Sequence, residues 1–322
     1  MELHTEKAVE RAQGYTMGPE GSRILTEENR AYLSSRASLE RAMQNGVVLE
    51  GTAILCNGDH TLTVDLGCMR GKMRREEVQD TPIGEEVRDI AVITRVGKVI
   101  CFVIIGFARD ALGEEYAILS RRVAQKKCRE RFLSRLRPGD VTAAKVTHME
   151  QFGAFVDVGC GIVSLLAIDA ISVSRISHPR DRFFSGMQIY VVIKSVDADS
   201  GRIYVSHKEL LGTWEENAAL FLPGQTVTGI VRSIEDYGVF VELTPNLAGL
   251  AELHEDITVG QHAAVYIKNL IPERMKVKLV LIDSYRGEGG ARRMEYFIKD
   301  GHIDRWVYSP SCASRCVETV FA

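Results

Sequence analysis

Apolar positions along the chain fall mostly in short runs of Val, Ile, Phe and Tyr, alternating or continuous, broken by Gly, Pro, Asn and Asp. That rhythm marks antiparallel strands. In the middle of the chain it predicts strands near 140–149, 153–158, 162–167, 188–196 and 202–207, with Asp197-Ala198-Asp199-Ser200-Gly201 turning the last hairpin. The period changes over 121–136, where Val123, Cys128, Phe132, Leu133 and Leu136 recur at mostly helical spacing among basic residues. Helices are also predicted within 212–222, which stops at Pro223, and over 26–44, which opens on a Thr-x-x-Asn approximation to a capping box. RGEGGARR at 286–293 breaks the pattern and reads as a hinge into a tail, 294–322, whose fold the pattern leaves open.

The runs repeat. PGDVTAAKVTHMEQFGAFVDV, from Pro138, aligns without gaps on PGQTVTGIVRSIEDYGVFVEL, from Pro223. The two share Pro-Gly, Val146/Val231, Glu150/Glu235 and an aromatic-Gly-x-Phe-Val block followed by an acid. A more diverged copy begins near Gly46, where Val64-Asp65-x-Gly67-Cys68 matches Val156-Asp157-x-Gly159-Cys160. Five strands per copy predict a mainly β chain of tandem five-stranded barrels of the OB type joined by short helical linkers. The expected division is an N-terminal helical segment (1–45), a degenerate barrel (46–120), a basic linker helix (121–137), a barrel (138–210), a second linker helix (211–222), a third barrel (223–285) and a C-terminal tail (286–322).

Composition narrows the class. In 322 residues, 45% hydrophobic and 26% charged, there is enough apolar material for several cores, which excludes wholesale disorder. No apolar run reaches the ~18 residues of a membrane span, and MELHTEKAVERAQ has no secretory apolar block, so a cytoplasmic protein without a membrane partner is expected. Seven cysteines, an odd number with Cys56, Cys68, Cys101, Cys128 and Cys160 scattered over core or strand positions, read as reduced thiols. A net charge of -3 argues against a nucleic-acid partner until its distribution is seen. RRVAQKKCRERFLSRLR, from Arg121, holds eight Lys and Arg against one acid, a local +7 that leaves the rest of the chain at -10. Lys126, Lys127 and Arg129 are candidate phosphate contacts, and a solvated helix face is an equal alternative.

Phe152 and Phe155 stand three apart, which would send them to opposite faces of a regular strand. Gly153 between them permits a bulge or kink that brings both rings to one exposed patch, and Tyr237, Gly238 and Phe240 repeat the spacing. One such pair alone would more often be core. The Gly-centred repetition favours exposure, where rings could stack on the bases of single-stranded nucleic acid.

Pro138-Gly139-Asp140, Phe152-Gly153-Ala154-Phe155-Val156-Asp157, Ile176-Ser177-His178-Pro179 and Asp197 through Gly201-Arg202-Ile203 to Ser206 closely resemble the S1 domain, the RNA-binding barrel named after bacterial ribosomal protein S1. The match covers nearly all of the middle copy, the first half of the third, and the first only in outline. The resemblance implies base-stacking rings at Phe152 and Phe155 and a hairpin pair at Asp197 and Arg202. The family's histidine position is Ala167 here, and His178, in another loop, is either a local substitute or a loop cap. In the third copy Tyr237 and Phe240 match the rings, while Glu252 takes the histidine position and Pro272 the hairpin aspartate; Lys268, Arg274, Lys276 and Lys278 surround that hairpin. In the first copy His60 and Thr63 replace the rings and Arg74 the histidine, so a scaffold or protein-contact barrel is expected, with Arg70, Lys72, Arg74 and Arg75 as candidate phosphate contacts.

No Walker loop, His-Glu-x-x-His helix or nucleophile elbow occurs. Cys312-x-x-x-Cys316 with His302 upstream lacks the spacing of a common zinc site, and Trp306 is expected to anchor a hairpin in the tail. The sequence thus points to a non-enzymatic protein without metal or cofactor that binds single-stranded RNA, with mRNA as the expected form and the ribosome as a possible partner. The alternative is an interaction scaffold of barrels with weak or no RNA binding.

Overall fold

The computed structural model describes residues 17–82, 84–197, 202–254, 256–286 and 294–321. Strands β1 (Leu49–Cys56), β2 (Leu62–Asp65), β3 (Arg70–Met73), β4 (Val99–Arg109) and β5 (Glu115–Ser120) close a first barrel. A second is closed by β6 (Val141–Glu150), β7 (Gly153–Gly159), β8 (Ile162–Ala167), β9 (Gln188–Val196) and β10 (Ile203–Ser206). The third comprises β11 (Thr226–Glu235), β12 (Gly238–Thr244), β13 (Leu247–Ala251), β14 (His262–Ile271) and β15 (Lys276–Tyr285). In each, the third strand runs parallel to the fifth, as at Gly71 with Ala117, Leu165 with Tyr204 and Leu250 with Lys278. This is the OB type of closure. All five strands expected in the middle repeat form close to their expected ends; residues 198–201 of its last turn and 287–293 of the hinge lie outside the described residues.

Alternation decides which side chains fill the barrels. In β7, Ala154 and Val156 point inward and are fully buried, with Phe155 between them on the outer face. Leu62, Val64, Phe102 and Leu119 do the same work in the first barrel, and Val239, Val241, Val265 and Leu279 in the third.

The helices are shorter than expected. The single helix expected over 26–44 is two, α1 (Glu27–Leu33), capped by Thr26, and α2 (Arg36–Gln44), where the Ser35 side chain accepts from Ser38 N and restarts the helix. Adjacent serines compete with the helical backbone for hydrogen bonds, which accounts for the break. A short α3 (Asp89–Ile93) lies inside the first repeat. The basic helix α4 (Arg121–Arg131) ends before Phe132, with one 3-10 turn, Leu133–Arg135, after it. In α5 (Trp214–Ala218), Thr213 and Glu216 form a reciprocal capping box.

The chain divides into two compact units, Met1–Leu136 with Asp157–Val163, and Arg137–Val156 with Ser164–Ala322. Inside the first, Nε and Nη2 of Arg121 donate to Oε1 and Oε2 of Glu20 at 2.6 and 3.1 Å, and Cys101 N donates to Oε1 at 3.0 Å. Asp157 accepts from the backbone N–H of Glu20 at 2.7 Å and of Gly159 and Gly161 at 2.9 Å. Burial pushes the Asp157 carboxyl up, and the nearby Glu20 carboxylate adds to it. For Glu20 burial also works upward, but Arg121 outweighs it and holds the carboxyl below its usual range.

Inside the second unit, residues 294–321 of the tail pack into the core. Residues β16 (Arg305–Val307) and β17 (Glu318–Val320) pair antiparallel with Trp306 buried beneath, as expected of a hairpin anchor. Trp306, Tyr308 and Phe321 join the third barrel's apolar cluster, each contributing on the order of 2–3 kcal/mol of burial. At the other end of the tail, Ile303 N donates to Gly139 O at 2.9 Å. Gly139 has φ +93°, and a side chain there would press into the Ile303 carbonyl, so the Pro138-Gly139 of the repeat also seats the tail. Among the described residues no helix is long and apolar enough to cross a membrane.

Candidate nucleic-acid interface

Phe152 lies in the turn before β7 and is 56% exposed; Phe155 is half-buried on the outer face. Their ring centroids are 6.0 Å apart with planes at 89°. Tyr237 is 68% exposed, and its ring meets that of half-buried Phe240 at 6.1 Å and 90°. Both barrels therefore carry the same outward perpendicular pair.

Glycine makes this possible, though by close approach. A Cβ on Gly153 would meet Leu166 O at 2.5 Å. The start of β7 runs tightly against the end of β8, and Ile168 N donates to Phe152 O at 3.0 Å, fixing the turn that carries the ring. In the third barrel the register shift expected at the glycine lies across the ladder, between Val231 and Ser233 of β11. That shift sets Ser233 opposite Phe240, with Leu250 on its other side and Lys278 beyond.

The repeat alignment carries this row onto the second barrel, where His148 takes the place of Ser233 and Leu165 that of Leu250, and Tyr204 pairs with Leu165. The exposed His148 ring is 6.2 Å from that of Phe155 and only 20° from parallel, with Nε2 2.6 Å from Glu150 Oε1. Tyr204 is 37% exposed. Sequence reasoning missed both. Tyr204 was recoverable from the Ile203-Tyr204-Val205 alternation, whereas the placing of His148 depends on the ladder.

The remaining expected residues separate. Asp197 and Arg202 are both exposed and close the hairpin base, Asp197 N donating to Arg202 O at 2.8 Å. His178 caps a 3-10 turn: Nδ1 accepts from Arg180 N at 3.1 Å, and the Asp181 carboxylate accepts from His178 N at 3.2 Å. Of the two alternatives for this histidine, the loop cap describes it. Lys268 and Arg274 are exposed on the third barrel. In α4, Lys126 is exposed, Arg129 lies 3.6 Å from Asp80, and half-buried Lys127 donates from Nζ to Gly46 O at 2.6 Å. Arg121 is buried and Arg122 pairs with Glu77, so part of the +7 segment is committed to the interior of its own unit.

Among its described residues the first barrel shows no contacting ring pair like these. His60 lies 3.7 Å from Asp89, and Lys72 sits 4.1 Å over the Tyr116 ring and 3.8 Å from Asp110. In the tail, His302 faces Asp140 at 2.7 Å and Cys312 and Cys316 are exposed; among the described residues no metal-binding group assembles. All seven cysteines are free; Cys101, Cys128 and Cys160 are buried, but Cys68 is exposed in a turn.

A closed five-stranded barrel with paired rings on its outer face defines the class, an S1-type OB module. The family described as S1 RNA binding domain matches residues 135–208. A small ribosomal subunit protein bS1 homolog of Bacillus cereus is 30% identical over 293 residues, 86% of this chain and 71% of that protein. The chain belongs to the bS1 family. A bS1 homolog of Bacillus subtilis is 30% identical over 199 residues, 57% of this chain and 51% of its own length. Small ribosomal subunit protein bS1 of Staphylococcus aureus is 32% identical over 172 residues, 52% and 43%. The chain thus spans about half the length of these last two relatives.

Proposed function

We propose that this protein binds single-stranded RNA, with mRNA as its form in the cell and translation as its setting. The observation that carries the reading is the duplicated ring pair, at 6.0 Å and 89° in one barrel and 6.1 Å and 90° in the next. Perpendicular contact leaves ring faces available, and a base stacked on one contributes about 1–3 kcal/mol whatever its identity. Duplex RNA keeps its bases inside the helix and offers these rings nothing. Asp197 and Arg202 around one hairpin, and Lys268, Arg274 and Lys278 around the other, supply polar and phosphate contacts at the rim. The names of the relatives make the small ribosomal subunit the proposed second partner. For the first barrel alone a protein-contact role is favoured, because His60 and Lys72 are held by Asp89 and Asp110.

The test is a titration of the purified full chain with a single-stranded RNA and its duplex at matched salt. Preference for the single strand supports the reading. Equal binding of the two, or of neither, contradicts it.

A further inference from the structure

The tail hairpin, to which the sequence assigned no role, borders an open groove of about 510 Å³ in the second unit. Its lining is contributed by three parts of that unit. Val173 and Ser174 come from the second repeat, Arg274 and Lys276 from the hairpin of the third barrel, and Ser314 and Arg315 from the tail. Among the described residues no carboxylate lines it, and none of its three cations is ion-paired.

The walls are tied together before any ligand arrives. Ser314 N donates to Glu273 O at 3.0 Å, holding the tail loop against the barrel hairpin. Tyr308 donates its hydroxyl proton to Asn246 O at 2.6 Å, Asn246 Oδ1 accepts from Val173 N at 3.0 Å, and Ser174 N donates to Pro245 O at 3.1 Å. A second observation points to a ligand. Ser174 is only 7% exposed, lines the groove, and its hydroxyl has no hydrogen-bond partner among the described residues. Native proteins rarely leave such a group unsatisfied, because its desolvation costs about 1–3 kcal/mol.

We propose that this groove holds a phosphate group of the bound RNA backbone, with Arg274, Lys276 and Arg315 neutralising it and the Ser174 hydroxyl donating to it. The inference rests on the RNA-binding reading and extends the contact surface from the third barrel onto the tail. A phosphate offers several acceptor oxygens at once, which suits a guanidinium better than any neutral ligand would. Arg315 reaches the groove from a segment outside the barrels, so the contact would belong to this chain and not to a barrel as such.

The experiment compares the full chain with Arg315→Gln, Ser174→Ala and Phe155→Ala in titrations with a single-stranded RNA over a range of salt. Arg315 is exposed, and the Ser174 hydroxyl has no hydrogen-bond partner among the described residues, so both variants should keep the fold. Arg315→Gln should weaken binding several-fold at low salt and flatten the log–log salt slope by about 0.7, the value of one single-strand phosphate. Ser174→Ala should weaken binding without flattening that slope. If Phe155→Ala weakens binding while Arg315→Gln changes neither affinity nor slope, the groove proposal is overturned and the RNA reading stands. If the unmodified chain binds no RNA, the RNA reading fails and inorganic phosphate, titrated against the amide resonances of Ser174 and Ser314, decides the groove. Shifts centred there keep it as a site for a small phosphorylated ligand, and none overturns it.

Discussion

His148 and Phe155 stand side by side on the outer face of the second barrel, ring centroids 6.2 Å apart and planes within 20° of parallel. Phe152 also meets Phe155, at right angles, so the three rings form one cluster on the outer face. In the third barrel the position of His148 is taken by Ser233.

His148→Ala should therefore weaken single-stranded RNA binding by less than Phe155→Ala does, and Ser233→His should strengthen it. Fluorescence titration at fixed salt would read all three. Equal affinity for the first variant and the parent would remove His148 from the surface.

The Glu20–Arg121 pair predicts a stability effect with no bearing on RNA. Breaking a buried pair strands the remaining charge, at a cost of about 3–5 kcal/mol. Glu20→Gln should lower the unfolding midpoint of the first unit sharply in urea, whereas Glu27→Gln, on exposed α1, should leave it nearly unchanged.

Lys126 and Lys127 are neighbours with opposite expectations. The Lys127 ammonium donates to Gly46 O, so Lys127→Ala should cost about 1 kcal/mol of stability, visible in denaturant melts. Exposed Lys126→Ala should leave stability alone and lower the salt dependence of RNA binding. A reversal of the two would place the phosphate contact at Lys127.

His207 gives a pH dependence of known sign. Its ring is buried between Ile171 O at 2.7 Å and Tyr296 Oη at 3.1 Å, and burial lowers its pKa from 6.5 to about 4. The unfolded chain then binds the proton more readily than the folded one. The stabilisation is complete above about pH 6.5 and is lost as pH falls toward 4, a swing on the order of 3 kcal/mol. Asp157, raised by burial in the other unit, works in the opposite direction, so the measurement is the difference from a His207→Asn variant. Urea midpoints of that variant should fall less between pH 7 and about pH 4.5 than those of the parent. Parallel curves would show that His207 does not titrate in that window.

Much of this architecture was legible because repetition removes ambiguity. Pro138 on Pro223 aligns the second and third barrels, and period-two alternation fixes which side chains turn outward. The ring pair was legible for the same reason, but its cause was not. Gly153 is required by the Leu166 carbonyl, a contact between strands that no local spacing encodes. The partners of the basic helix were not legible, since charge along a sequence does not reveal that Arg121 meets Glu20 at a separation of 101 residues. In the tail the Trp306 hairpin was legible but its docking was not, because Trp306, Tyr308 and Phe321 find their apolar partners in the preceding barrel.

The outward rings of the second and third barrels are proposed to receive bases. The deciding measurement is the affinity of a single-stranded RNA for the full chain and for Phe155→Ala, Phe240→Ala and the double variant, at low and high salt. Each loss should cost about 1–3 kcal/mol, or roughly 5- to 150-fold, to a similar extent at both salts, with the double variant weakest. Unchanged affinity in all three would show that the rings do not receive bases.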